Sequence, residues 1–268
     1  MLKDLSIALI QPELIWEDIP ANLAMLESMI SQIKVPVDLI ALPEMFSTGF
    51  SMNTSIAERM DGTAIQWMKH IAAERNTVIA GSLMLYEGEG EQRKFYNRII
   101  WMQIDGSYLQ YDKRHLFSMS DEPKVFTAGK QRLTTTLHGW RICPMVCYDL
   151  RFPVWARNSI NENRVADYDV LLYLANWPQR RSVAWNSLLP ARAIENLAYV
   201  IGVNRVGTDG DGIDCCGNSA AIDPLGEVLI RRESEAEVLV LTLSHENLVK
   251  ARRMYPFLKD GDRFELVK

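Results

Sequence analysis

Histidine and cysteine are scarce in this chain, with four of each in 268 residues. His70, His115, His138 and His245 are scattered, and no Cys-x-x-Cys or His-x-x-x-His spacing occurs. A zinc site is therefore not expected, and neither is any other cofactor. Cys215 and Cys216 are adjacent, poorly placed for a short-range disulfide. The start Met1-Leu2-Lys3-Asp4-Leu5 lacks the apolar core and small-residue cleavage site of a signal peptide. The expectation is a cytoplasmic protein with reduced thiols. No apolar run is long enough to span a bilayer, so no membrane partner is expected. Basic blocks are missing too. The net charge is −5, and Arg180-Arg181 is too short to track phosphates, which argues against nucleic acid. Neither a Walker-type loop nor a G-x-G-x-x-G fingerprint occurs. The segment from Gly207 to Gly212 is rich in Gly and Asp but lacks the terminal Glu of a calcium loop, and reads as a turn. No Pro/Ser/Gly-rich linker, repeat or low-complexity stretch divides the chain.

What is present is ordinary for a globular enzyme: 48% hydrophobic and 24% charged residues. Strand-like apolar runs cover Leu5–Gln11, Val37–Pro43, Thr77–Tyr86, Phe95–Ile104, Trp140–Val146, Val170–Ala175, Ala198–Asn204, Ser219–Ile222, Val228–Arg231 and Val238–Leu243. Helical spacing appears in Asn22–Ile33, with Asp18 as its cap and Pro20 in the first turn. Further helices are predicted over Ala64–Glu74, Phe152–Asn161, Val183–Leu197 and Glu246–Arg253. Pro190 removes a helical hydrogen bond and predicts a kink or restart. Strands alternating with helices predict an α/β protein. Turns at Asp105-Gly106 and at Asp223-Pro224-Leu225-Gly226 predict that part of the sheet is antiparallel.

Three of these strand-like regions lead into chemistry. Leu39-Ile40-Ala41-Leu42-Pro43-Glu44 ends in a carboxylate. Arg141-Ile142-Cys143-Pro144-Met145-Val146-Cys147 ends in a thiol on a turn into a helix, where free N–H groups and the helix dipole favour a low-pKa nucleophile. Tyr111-Asp112-Lys113-Arg114-His115-Leu116 follows the Asp105-Gly106 turn. Catalytic groups in α/β sheets collect at strand ends. Singly, Glu44 reads as a surface acid, Lys113 as a solvated lysine and Cys147 as a buried structural thiol. In this order, the three segments resemble the nitrilase superfamily of carbon–nitrogen hydrolases. The resemblance extends to Ile7-Ala8-Leu9-Ile10-Gln11-Pro12, to Ala191-Arg192-Ala193-Ile194-Glu195-Asn196 and to Gly217-Asn218-Ser219-Ala220-Ala221-Ile222-Asp223-Pro224-Leu225-Gly226.

The resemblance implies a four-layer α-β-β-α sandwich of two packed mixed sheets. It implies one domain over residues 1–268, with a core at about 5–245 and a tail from 246 to 268. It implies a Glu44–Lys113–Cys147 triad that hydrolyses amides through a thioester on Cys147. Glu44 is the proton carrier. Lys113 and the backbone N–H of Tyr148 stabilise the oxyanion. Glu122 is the second acid beside the lysine, with Asp121 its local competitor. Glu58, Glu74 and Glu195 read as structural, Cys143 as buried, and Arg151 as a support of the nucleophile turn. A homodimer is implied, and the stretches Phe152–Ala156 and Trp185–Leu189 are candidates for its face. The cysteine and lysine motifs look most like the omega-amidase branch, which acts on the terminal amide of dicarboxylic monoamides such as alpha-ketoglutaramate. Phe46, Phe117 and Trp177 are the expected pocket aromatics, and Arg180 and Arg181 the expected partners of the substrate carboxylate. The alternatives are another amidase or carbamoylase of the superfamily, or a non-catalytic α/β binding protein.

Overall fold

The alternation of apolar residues along the first strand separates two cores. In a computed structural model, which describes residues 2–160, 165–262 and 264–266, β1 (Leu5–Gln11) turns Ile7 and Leu9 into a central core. Its Ala8 and Ile10 enter an outer core beneath α1 (Ile19–Ser31) and α2 (Thr63–Arg75). This period of two follows from the strand pleat. The remaining strands are β2 (Leu39–Ala41), β3 (Val78–Glu87), β4 (Lys94–Met102), β5 (Tyr108–Asp112), β6 (Thr135–Leu137), β7 (Trp140–Val146), β8 (Val170–Leu174), β9 (Tyr199–Val203), β10 (Val206–Thr208), β11 (Asp214–Ile222), β12 (Val228–Glu233) and β13 (Glu237–Leu243). The first sheet runs β13-β1-β2-β3-β4-β5. The second runs β10-β11-β9-β8-β7-β6, with β12 on β11. Parallel pairs occupy the centres (β1-β2-β3 and β7-β8-β9), and antiparallel pairs the edges. All five residues of β8 are buried, as a strand covered on both faces requires.

Besides α1 and α2, the helices are α3 (Glu122–Val125), α4 (Pro153–Ala156), α5 (Ser182–Asn196) and α6 (His245–Met254). Helix α5 covers the second sheet, where Trp185 and Leu189 are buried over Gly202 of β9. The layers are therefore helix, sheet, sheet, helix, as expected. Asp18 caps α1, its side chain accepting from the Ala21 N–H at 3.0 Å. Both expected hairpin turns form, at 105–106 and at 223–226.

Several expectations are corrected. The helix over Phe152–Asn161 shrinks to α4, preceded by a 3-10 turn at Cys147–Arg151; Asn161 lies outside the described residues. Helix α5 continues through Pro190 without a break, its buried stripe holding it to the sheet. Because Trp185 and Leu189 are core residues, they offer no dimer face. Val154, Val183 and Ile194 are the exposed apolar side chains of α4 and α5. No helix among the described residues is long and apolar enough to cross a membrane.

Candidate active site

Four strand ends deliver the polar side chains to one place. β2 leads to Glu44, β5 to Lys113, β7 to Cys147 and β8 to Asn176. Glu122 arrives from α3 and is fully buried, as is Glu44; Lys113 is nearly so. The lysine Nζ lies 2.8 Å from Oε1 of Glu44 and 2.9 Å from both carboxylate oxygens of Glu122. Burial opposes a charged lysine here, but Glu122 and Glu44 outweigh it and raise its pKa. Burial raises the pKa of Glu122, Lys113 pulls it down, and the charge of Glu44 pushes it up again. The main-chain N–H of Phe117 also donates to Glu122.

Lys113 has three N–H donors and three carboxylate oxygens within 2.9 Å. In this state it holds the two acids, and it can donate to an oxyanion only by releasing one of them. The other oxygen of Glu44, Oε2, accepts from the Asn176 main-chain N–H at 2.9 Å. The Asn176 side chain donates to the Glu44 main-chain carbonyl, and the Asn176 main-chain carbonyl accepts the Cys147 S–H at 3.9 Å. Asn176 therefore touches both the acid and the thiol.

Cys147 has φ +40° and Met45, next to Glu44, has φ +44°. Left-handed backbone at non-glycine residues is uncommon and concentrates at functional sites. Asp149 secures the cysteine turn. It accepts from the Val146 N–H at 3.0 Å and the Tyr111 hydroxyl at 2.7 Å. It also accepts from the His115 N–H at 3.0 Å. One buried carboxylate thus fastens the thiol segment to the lysine segment. Arg192 of α5 adds two donors to the Leu150 carbonyl at 2.7 and 3.1 Å, and it pairs with Glu195 at 3.1 Å.

The expected low-pKa thiolate is not what this turn provides. Burial pushes the Cys147 thiol well above its usual range, and the charge of Glu44 pushes it further, against Lys113. The 3-10 turn and the four-residue α4 are too short to build a helix dipole of useful strength. The arrangement suits a neutral thiol that loses its proton during attack. Cys143 is fully buried, with its thiol pushed up to about 12 by burial.

A cavity of about 220 Å³ opens over Cys147. Phe50, Phe117, Tyr148 and Trp177 line it, with Arg151, Arg180 and Arg181. Arg151 stacks on Trp177 at 4.9 Å and Arg181 on Phe117 at 4.9 Å. The arginine ion pairs among the described residues involve other side chains, so these three have none. Phe46 does not join this pocket, contrary to expectation. It is fully buried in the outer core, packed on Gly81 and 5.8 Å from the Trp67 ring. A larger groove of about 1230 Å³ lies along α4 and the tail around Phe264, and neither Cys147 nor Lys113 lines it. Asp121 is exposed and pairs with Lys124 at 2.7 Å. Of the two acids, only Glu122 meets the lysine.

Sequence reasoning passed over Asn97, Ser82, Asn176 and Asp149 as site residues. Asn97 carried a signal, a polar residue inside the apolar run of β4. Asn176 carried little, since its main chain does much of the work.

A carbon–nitrogen hydrolase family model matches residues 6–253. Omega-amidase YafV of Yersinia enterocolitica is 43% identical over 267 residues, covering 99% of this chain and 100% of that protein. The 2-oxoglutaramate amidase of Bacillus subtilis is 29% identical over 243 residues, covering 89% of this chain and 90% of that protein. Among solved structures, XC1258 of Xanthomonas campestris, a CN-hydrolase superfamily protein with an arsenic adduct in its active site, superposes with a TM-score of 0.95. It shares 40% identity and covers 99% of this chain and 100% of its own.

Proposed function

Since the chain belongs to the carbon–nitrogen hydrolase family, we propose that it is an omega-amidase, with Cys147 as nucleophile and Glu44 as proton carrier. The observation that carries the substrate class is the trio Arg151, Arg180 and Arg181 beside the thiol; among the described residues none of the three forms an ion pair, and Asp209 and Asp211 line the same cavity. A guanidinium recognises a carboxylate by paired, charge-assisted hydrogen bonds. The full-length similarity to Omega-amidase YafV supports the same reading.

In this mechanism sulfur attacks the amide carbon as Glu44 takes the S–H proton. The carbonyl electrons move to oxygen, which the Tyr148 N–H and the positive field of Lys113 stabilise. When the C–N bond breaks, the proton on Glu44 passes to nitrogen and ammonia leaves. The acyl group remains as a thioester on Cys147. Water then gives a proton to Glu44 and attacks the thioester; breaking the C–S bond releases the acid, and the thiol recovers its proton. Glu122 holds Lys113 in place and faces the attacked amide. The family resemblance also implies a homodimer, for which Val154, Val183 and Ile194 are the exposed apolar candidates. A strict monomer of 30.6 kDa in light scattering refutes that part.

The test is steady-state ammonia release from succinamate, alpha-ketoglutaramate, butyramide and N-carbamoyl amino acids, with Cys147→Ala as control. The acid monoamides should react far faster than butyramide, and Arg181→Met should narrow the gap. Equal turnover of butyramide and succinamate overturns the substrate class. Preference for the N-carbamoyl compounds makes the protein a carbamoylase instead.

A further inference from the structure

Asn97 is fully buried in β4 and touches three elements of the site at once. Its Nδ2 donates to Oε1 of Glu44 at 2.8 Å and to Oε1 of Glu122 at 3.1 Å. Its main-chain carbonyl accepts the Lys113 N–H at 2.9 Å. Its Oδ1 accepts from the Ser82 hydroxyl at 2.9 Å, and that hydroxyl accepts from the Met45 N–H at 2.9 Å. Met45 adjoins Glu44, so the chain of bonds closes on itself.

The direction of this loop is fixed at its carboxylate end. The carboxylate oxygens of Glu44 and Glu122 accept and would repel an amide oxygen, so the two N–H groups of Nδ2 face them and Oδ1 faces Ser82. Ser82 then donates its proton to Oδ1 while its oxygen accepts from the Met45 N–H. Two carboxylates share one ammonium here, a 2:1 imbalance that like-charge repulsion opposes. An amide with its two donors split between the acids adds partial positive charge without adding a cation.

We propose that Asn97, oriented by Ser82, is the positioning residue that keeps Glu44 and Glu122 aligned on Lys113 and Glu44 ready to accept the Cys147 proton. The proposal rests on the reading of Glu44 as the proton carrier. The charged or titratable groups facing the pair are Lys113, the Cys147 thiol and, at longer range, the Cys215 thiol of β11. None of them replaces a lost amide donor.

The test is the pH dependence of kcat/KM, and separately of iodoacetamide alkylation of Cys147, in Asn97→Leu and Ser82→Ala. A hydrogen bond to an ionised group favours that group's charged form. Losing that donor removes support for the charged form of the acid pair, so the acid limb should move to higher pH in Asn97→Leu. The kcat should fall about tenfold or more at neutral pH and recover partly as pH rises, with KM little changed. Ser82→Ala frees the amide to flip and should shift the limb in the same direction by less. Ser82→Thr, which keeps the hydroxyl, should restore the wild-type profile. An unshifted acid limb in both Asn97→Leu and Ser82→Ala, with only a lower Tm, overturns the proposal. If Asn97→Leu does not fold, the Ser82→Ala and Ser82→Thr profiles decide alone. Glu44→Gln separates the two levels. Should it keep the wild-type alkylation profile, Glu44 is not the proton carrier and the underlying reading fails. Should it abolish the acid limb while the Ser82 and Asn97 variants leave that limb in place, only the present proposal fails.

Discussion

Asp169 and Glu122 are both buried carboxylates bonded to cations, yet their acidities move in opposite directions. Asp169 lies 2.7 Å from Arg141 and 2.6 Å from Arg252. Burial works against its charge, but the two guanidiniums win and lower its pKa. Glu122 shares one lysine with Glu44, and burial together with that second acid raises its pKa. The first cluster has more cations than acids and ties β7, β8 and α6 together. The second has more acids than cations and holds them beside a thiol. A structural cluster relieves its buried charge completely, whereas a site for proton transfer leaves part of it unrelieved.

The comparison breaks most severely at the thiol. Cys147→Ala should reduce ammonia release to background without unfolding the chain, and intact-mass spectrometry during turnover of the parent enzyme should detect an acyl adduct on Cys147. Activity comparable to the parent's in Cys147→Ala would remove the site reading altogether.

Next in size is the proton carrier. Glu44→Gln keeps the shape and hydrogen-bond reach but cannot take a proton. The rate should fall about 10²–10⁴-fold, the range of general acid–base catalysis. Glu122→Gln should fall less. It also removes a like charge from Glu44, so its Tm should drop little. Near-normal turnover in Glu44→Gln contradicts the mechanism.

How far the sequence reaches is visible in these same residues. The apolar runs of β1 and β7 were legible to their ends, because a central strand is buried on both faces and leaves an unbroken signal. β5 was not: Tyr108, Leu109 and Gln110 are exposed on an edge strand, so no burial pattern marks it. Glu44, Lys113 and Cys147 were legible as a set of motifs, and the structure brings them together. Phe46 was misplaced because an aromatic near a strand end looks the same whether it faces a pocket or a core; Gly81 opposite leaves the space that draws it inward. The thiol's acidity was also misjudged, since turn geometry and the approach of Glu44 are tertiary facts. Asn97 reaches Glu122 and Glu44, 25 and 53 residues away, and Asp149 reaches His115 and Tyr111, 34 and 38 residues away, pairings that no local pattern encodes.

The structural cluster should break in stability and leave chemistry alone. Asp169→Asn strands two guanidiniums beside a neutral amide, at a cost of about 2 kcal/mol, or a Tm lower by about 5 °C. Because the folded pKa of Asp169 is depressed, its contribution is present above the unfolded carboxylate pKa. It is lost as pH falls through the folded value. Parent and variant should therefore differ in Tm at neutral pH and converge in strong acid, while kcat stays unchanged at temperatures where both are folded. A variant with parental Tm but reduced kcat would erase the distinction between the two clusters.

The smallest expected effect sharpens the comparison from the other side. Asp121 is one residue from Glu122 and carries the same charge, but its carboxylate is solvated and its partner Lys124 is exposed. A surface ion pair of this kind contributes little because water screens it. Asp121→Asn should therefore leave kcat, KM, the pH profile and Tm where they are. Glu122→Gln, made beside it, should reduce kcat through the lysine it holds. The two variants sit at adjacent positions, Asp121 at the N-cap of α3 and Glu122 opening it, make the same charge change, and differ chiefly in what the carboxylate touches. If Asp121→Asn lowers the rate more than Glu122→Gln, the acid that matters is the exposed one. The bonds between Glu122 and Lys113 would then be packing detail, and the contrast with Asp169 would have to be drawn on Glu44 alone.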